Sequence, residues 1–216
     1  MNKIDKSKGE VDREKKLMPR VGAYIIDIMI ISLLCSLICG IRFLNPSYDK
    51  YNEASITYSE YYNDYLNNKI TINEFNDNIG EVTYNLYKYG TSNYVIALVV
   101  IIGYLGVFQK YNKGQTIGKK VMKLKVVSVN KKNVSLINFI LRIIPMYILG
   151  YGGIFNIIAC IFLPHFMSSV ILETWVTSVT IVNLLLALID IEFAIIRNDR
   201  RTLHDLLTNT KLIANE

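Results

Sequence analysis

Charge is scarce in this chain and unevenly spread. Only 19% of its 216 residues are Asp, Glu, Lys or Arg, against about 25% in an average soluble domain. The charges gather in a few blocks, and long uncharged runs separate them. With half of the chain hydrophobic, this excludes a disordered polypeptide and argues against an ordinary soluble enzyme. Cysteine is rare as well. Cys35, Cys39 and Cys160 all stand inside apolar runs, which excludes a disulfide framework and a CxxC metal site. The two histidines, His165 and His204, lie far apart and belong to no cluster with metal-ligand spacing, so neither a metal nor another cofactor is expected. No nucleophile–base pair can be placed, and the chain is not expected to be an enzyme. No nucleic-acid partner is expected either.

What is present is membrane-spanning material. A bilayer core of about 30 Å needs about 20 apolar residues in a helix. Residues 21–41 form one such run, with Asp27 as its one charge; residues 91–109 form a second, free of charge; residues 175–196 form another, with Asp190 and Glu192 near its end. Residues 134–163 carry only Arg142. As one helix at 1.5 Å per residue they would reach about 45 Å, so Pro145 is read as a break between an entry helix over 134–144 and a span over 146–163. The fold expected is an all-α membrane protein of about four transmembrane helices. The first apolar run is too long for a cleaved signal and is read as a retained span.

Charge sets the orientation. Residues 1–20 hold seven Lys/Arg, residues 110–133 hold eight Lys and no acid, and residues 197–216 hold four basic residues. Residues 42–93 hold four basic residues against seven acidic ones. The basic blocks are expected to face the cytoplasm across the cell membrane, with both termini inside, where their lysines and arginines meet the anionic inner leaflet. Residues 164–174 form a short external turn.

Two segments outside the bilayer carry local signals. In residues 42–90, Thr57-x-x-Glu60 and Thr71-x-x-Glu74 fit capping boxes at helix starts. Ile72, Phe75, Ile79, Val82, Leu86 and Tyr89 then recur at spacings of one helix face. This predicts an external helical hairpin holding nine of the 15 tyrosines, either self-packed or offering a surface to a partner. In residues 110–133, Leu124 and Val126 alternate with Lys123 and Lys125 at strand spacing, and Asn130-Lys131-Lys132-Asn133 reads as a turn, so a short cytoplasmic strand or hairpin is expected. Gly114-Gln-Thr-Ile-Gly118-Lys119-Lys120 resembles a phosphate-binding loop but has three residues between its glycines and Lys after the Lys, so nucleotide binding is rejected.

Charged groups inside a span cost at least about 2.5–3.5 kcal/mol, which makes them informative. Arg20 and Asp27 are nearly two helical turns apart and share a face, and Asp190 and Arg197 repeat the relation in the last span. Arg142 can reach the same depth. In a functional reading the carboxylates bind a small cation or a proton: Asp27 as the ion site, Asp190 assisting, Arg142 setting the charge balance. In a structural reading Arg142 neutralises an aspartate and holds the bundle. Glu192 stands roughly 200° around the helix from Asp190 and is expected to face water.

These residues resemble the signature of the RDD family of small multi-pass membrane proteins. Pro19-Arg20-Val-Gly-Ala-Tyr-Ile-Ile-Asp27 matches its first block. Gly114-Gln-Thr116-Ile-Gly118-Lys119 matches the second, Leu141-Arg142 the apolar Arg-containing helix, and Arg201-Thr-Leu203-His204-Asp205 with the later Thr210 the closing block. The family's usual Gly before that last Thr is Asn209 here, and residues 42–93 have no counterpart. The resemblance implies that Arg20, Asp27 and Asp205 are signature residues, with Arg142 and His204 secondary, and that Asp205 clamps the cytoplasmic side. It also implies a transport role, sodium/proton exchange having been associated with some members. Four spans are few for alternating access, so a homo-oligomer or a partner membrane protein is expected. The competing reading is a non-transporting accessory or protective protein whose Tyr-rich hairpin binds a peptide, a lipid or another protein.

Overall fold

The computed structural model describes residues 3–130, 133–146, 148 and 151–215, with side chains from Leu17 onwards. Helix α1 (Lys3–Cys39) runs on into its apolar half, Leu17–Cys39. Helix α2 (Tyr48–Leu66) turns back onto α3, which is one helix of 40 residues from Ile72 to Tyr111. The hairpin and the second span are thus continuous. The start of α3 is fixed by the expected capping box: Glu74 N–H donates to Thr71 Oγ1 at 3.3 Å and Thr71 N–H donates to Glu74 Oε2 at 2.8 Å. The Thr57 box starts nothing. Thr57 lies inside α2 and donates to the Glu53 carbonyl, because the helix has already begun at Tyr48.

Among the described residues three helices are long and apolar enough to cross a bilayer: Leu17–Cys39, Ile72–Tyr111, and Ser169–Ile196, here α7. The expected span over 146–163 is shorter than that. Its region holds α5 (Leu136–Leu141) and α6 (Ile154–Phe162), with a tight turn Leu163–His165 after it. The twelve residues Ile154–His165 reach about 18 Å at 1.5 Å per residue, well short of the hydrocarbon core. The cause lies in the sequence between them. Pro145 cannot continue a helix. Gly152 takes φ +71°, and a Cβ on Gly153 would stand 2.4 Å from Asn183 Oδ1 of α7. Irregular backbone at such a depth persists only where protein or a cavity covers it, and here Ile143 and Ile148 are buried in the core with Ile31, Ile101 and Ile157.

The basic loop and the tail meet at one end of the bundle. The strand expected around Leu124 does form, as β1 (Leu124–Ser128), but not as a local hairpin. It pairs antiparallel with β2 (Thr210–Ala214), with Leu124 opposite Ala214 and Ser128 opposite Thr210. Lys131 and Lys132 of the expected turn lie outside the described residues. Short helices α4 (Ile117–Val121) and α8 (Leu203–Leu207) complete this cap, and α4 packs on α1 while α8 packs on α7. Asn209 takes φ 51°, a left-handed conformation that Asn tolerates better than most residues. At the opposite end the hairpin packs on itself: Tyr58 stacks on Tyr62 and Tyr65 on Phe75.

Candidate functional site

Three buried carboxylates organise the capped end, and each has its own set of donors. Asp27, one turn below Ile31 on α1, is gripped by the loop that follows α3. The Thr116 hydroxyl donates to its Oδ2 at 2.6 Å, and Gly118 N–H and the Tyr104 hydroxyl donate to its Oδ1 at 2.9 and 2.7 Å. Lys119 Nζ stands 3.7 Å from Oδ2. The glycine-rich loop that cannot hold a phosphate therefore holds an anion of its own chain. Gly118 is required there, because a Cβ would lie 2.2 Å from the Ala23 carbonyl oxygen and 2.7 Å from Asp27 Oδ1. Gly114 is required for a different reason: it takes φ +83° and passes so close to β1 that a Cβ would lie 2.4 Å from the Val126 carbonyl oxygen. Burial pulls the Lys119 amine down to about 8, against the opposing pull of Asp27.

Tyr104 reaches Asp27 from a part of α3 that is not ordinary α-helix. Residues Ile102–Phe108 are wound as a π-helix, a local widening that is common at functional sites. Gly106 on this stretch admits the Ile140 side chain.

Asp205 forms the second node. Arg142 donates through Nη1 to Asp205 Oδ1 and to Thr210 Oγ1, and Arg20 Nη1 stands 3.9 Å from Asp205 Oδ2 while donating to the Arg200 carbonyl at 2.6 Å. Asp205 is also the third residue of α8 and completes a capping box with Thr202. Burial pushes its carboxyl up, but Arg142, His204 and Arg20 outweigh this and hold it at about 2. The clamp implied for Asp205 and the local helix cap are thus one arrangement. Arg142 does neutralise an aspartate, but it is Asp205 of the tail, not Asp27 or Asp190.

Asp190 forms the third node. His204 N–H donates to its Oδ1 at 2.8 Å, and His204 Nδ1 lies 2.8 Å from its Oδ2. A carboxylate only accepts, so Nδ1 carries the hydrogen in this contact. Glu192 is exposed, as its place on the helix predicts, while Asp190 is buried.

One cavity of about 370 Å³ touches all three nodes. Arg20, Asp27, Arg142, Asp190, His204 and Asp205 line it together. Lys119 lines it too; sequence reasoning placed it in the basic loop and in the second signature block but did not include it among the site residues. Tyr104 was missed entirely, because a tyrosine in an apolar run carries no signal of its own. A second cavity of about 330 Å³ lies toward the hairpin, against Ser32, Cys35, Ser36, Tyr51, Asn93 and Tyr94. Between the two stands one apolar layer. Along α1 the order is Asp27, Ile31, Cys35; along α3 it is Tyr104, Ile101, Ala97, Tyr94. Ile31, Ala97 and Ile101 are buried in the core.

Helices that cross a bilayer, an ion-paired cap and an irregular segment at depth together define a multi-pass α-helical membrane protein with a charged interior cavity. Within that class the chain belongs to the RDD family, whose model matches residues 15–209. No curated protein and no solved structure matches it.

Proposed function

We propose that this RDD-family protein exchanges a cation for a proton across the cell membrane, with its capped end in the cytoplasm. The observation that carries the reading is the contact between Asp190 and His204 at the wall of a cavity inside the membrane. His is the side chain whose ordinary pKa lies nearest physiological pH. A proton on His204 and a cation beside Asp190 supply the same charge at the same place, so each disfavours the other in a poorly screened interior. The ion site moves accordingly. Asp27, the residue expected from the sequence, accepts three hydrogen bonds and has the Lys119 amine 3.7 Å away, which suits a structural post. Asp190 has no Lys or Arg within ion-pair distance among the described residues.

The two cavities separated by one layer of isoleucine and alanine support a route with alternating access. A homo-oligomer supplies the surfaces that so few spans lack. The Tyr-rich hairpin makes the partner-binding alternative less favourable, since Tyr58, Tyr62 and Tyr65 are engaged within it.

The test is proton movement in proteoliposomes holding a preset pH gradient, challenged in turn with Na⁺, K⁺, Li⁺ and tetraphenylphosphonium. Collapse of the gradient with at least one of them, lost in His204→Gln, is the expected result. No collapse with any of them, from protein that elutes as a folded species, overturns the exchange reading.

A further inference from the structure

The larger cavity is open on a side that a small hydrated ion does not use. Its floor is closed by the cap, through Lys119 of α4, Thr202 and His204 at α8, and Leu212 of β2. Its walls toward the bundle surface come from α1 and α7. These two helices pack on α3 and on the cap elements, and among the described residues their contacts with each other are sparse at most. Val21 of α1 and Leu184, Leu188 and Ile191 of α7 line the cavity and are each about half exposed. Half-exposed aliphatic side chains on both helices suit an opening toward hydrocarbon rather than toward water.

The interior is equally ill suited to a metal ion. A desolvated metal cation takes a shell of several oxygen ligands, and among the described residues no group of three or more Asp, Glu, His or Cys gathers to supply one. The volume, about 370 Å³, falls in the range of small-molecule sites, about 300–1,000 Å³. The cationic side chains in the wall are committed: Lys119 to Asp27 and Thr116, Arg142 to Asp205 and Thr210, Arg20 to Asp205 and the Arg200 carbonyl. Among the described residues Asp190 is the wall carboxylate that has no Lys or Arg within ion-pair distance, its partner being His204, and the ring of Phe139 lines the same space. Negative charge and an aromatic face are what a large organic cation requires.

We propose that the cavity binds a lipophilic organic cation, entering from the bilayer between α1 and α7, with Asp190 as its counter-ion. The coupling to protons rests on the exchange reading above; the choice of ligand does not. In the exchange step the imidazolium of His204 gives its Nε2 proton to water. It keeps the Nδ1 hydrogen on Asp190, and the organic cation takes over the positive charge.

The full-length protein in detergent is tested by equilibrium dialysis with labelled tetraphenylphosphonium, and then in proteoliposomes against protein-free vesicles. Saturable binding is expected, weakened at least tenfold in Asp190→Asn. It is weakened likewise in Ala187→Phe, which places a ring in the opening without touching a charge, so a folding defect in the first variant does not decide the matter. Glu192→Gln, an exposed carboxylate two residues away, binds as the parent does. Absence of saturable binding, or equal binding by Ala187→Phe, overturns the proposal. Proton exchange with Na⁺, K⁺ or Li⁺ but not with tetraphenylphosphonium overturns it while leaving exchange intact. Binding of tetraphenylphosphonium without proton movement supports the ligand class and overturns exchange.

Discussion

Thr116 donates its hydroxyl to Asp27 at 2.6 Å across 89 residues of sequence. The same hydroxyl oxygen accepts the N–H of Lys119, which caps the short helix α4. One side chain thus fixes the start of a helix and the place of a buried charge inside a span. The consequence is that the cap is not an appendage of the bundle. It is held by the charges that would be too costly to leave unpaired in the membrane.

Gly118→Ala is therefore expected to loosen the cap from α1. The added methyl would sit 2.2 Å from the Ala23 carbonyl, and backbone cannot yield as a side-chain tip can. The cost falls in the range of an overpacked core, about 1–3 kcal/mol. Thermal unfolding of the detergent-solubilised protein measures it. A melting temperature equal to that of the parent would show that the loop does not approach α1 so closely.

The pair Arg142 and Asp205 makes a sharper prediction. Removing one partner of a buried ion pair strands a charge and costs about 3–5 kcal/mol, whereas replacing both with apolar residues is often neutral. Asp205→Leu alone is expected to lower stability severely, and Arg142→Met with Asp205→Leu to recover much of the loss. Thr210, which also bonds Arg142, limits the recovery, since its hydroxyl is left with fewer partners. Chemical denaturation of the two single variants and the double variant closes the cycle. Additive losses would mean that the two residues act independently.

Acid adds a second route to the same node. Asp205 is held at about 2, below its ordinary value of 3.8. A depressed carboxylate contributes stability above the unfolded-state value, and that contribution is lost as pH falls from about 4 through about 2. The difference corresponds to about 2 kcal/mol. The parent is expected to lose stability across this window more steeply than the Arg142→Met, Asp205→Leu double variant. Parallel pH profiles of the two would dismiss the assignment.

Part of this architecture was legible in the sequence because it rests on local physics. Hydrophobic runs located the long helices, the Thr71 box located the start of α3, and helical spacing set Asp190 inward and Glu192 outward. Alternation at Leu124 and Val126 gave the strand. Its partner was not legible, because Thr210–Ala214 is too short to carry a pattern and lies far along the chain. Arg142 was recognised as costly, but which aspartate it meets depends on where the tail folds back. The grip on Asp27 was hidden for a similar reason: Gly114, Thr116 and Gly118 gain their meaning only when α1 stands beside them. The broken third region was half legible, through Pro145. The close approach of Gly153, just before the helix that begins at Ile154, to Asn183 of another helix was not legible.

Lys119 carries the last prediction: stability rises with pH here as it does for Asp205, but in an alkaline window and because a buried ammonium is relieved rather than a carboxylate paired. Burial lowers its amine from 10.5 to about 8. Between these values the unfolded chain holds a proton that the folded chain has released. Stability attributable to this residue therefore rises as pH climbs from about 8 to about 10.5. Below about 8 both states are charged, and the folded state bears the full cost of a buried ammonium, partly offset by Asp27 at 3.7 Å. Lys119→Met removes the titration. It also removes the charge that faces Asp27, yet Thr116, Gly118 and Tyr104 still donate to that carboxylate, so the variant is expected to fold. Unfolding followed from pH 7 to pH 10.5 should show the parent gaining on the variant as the pH rises. A difference between the two that does not change with pH would place the lysine in water, outside the cluster.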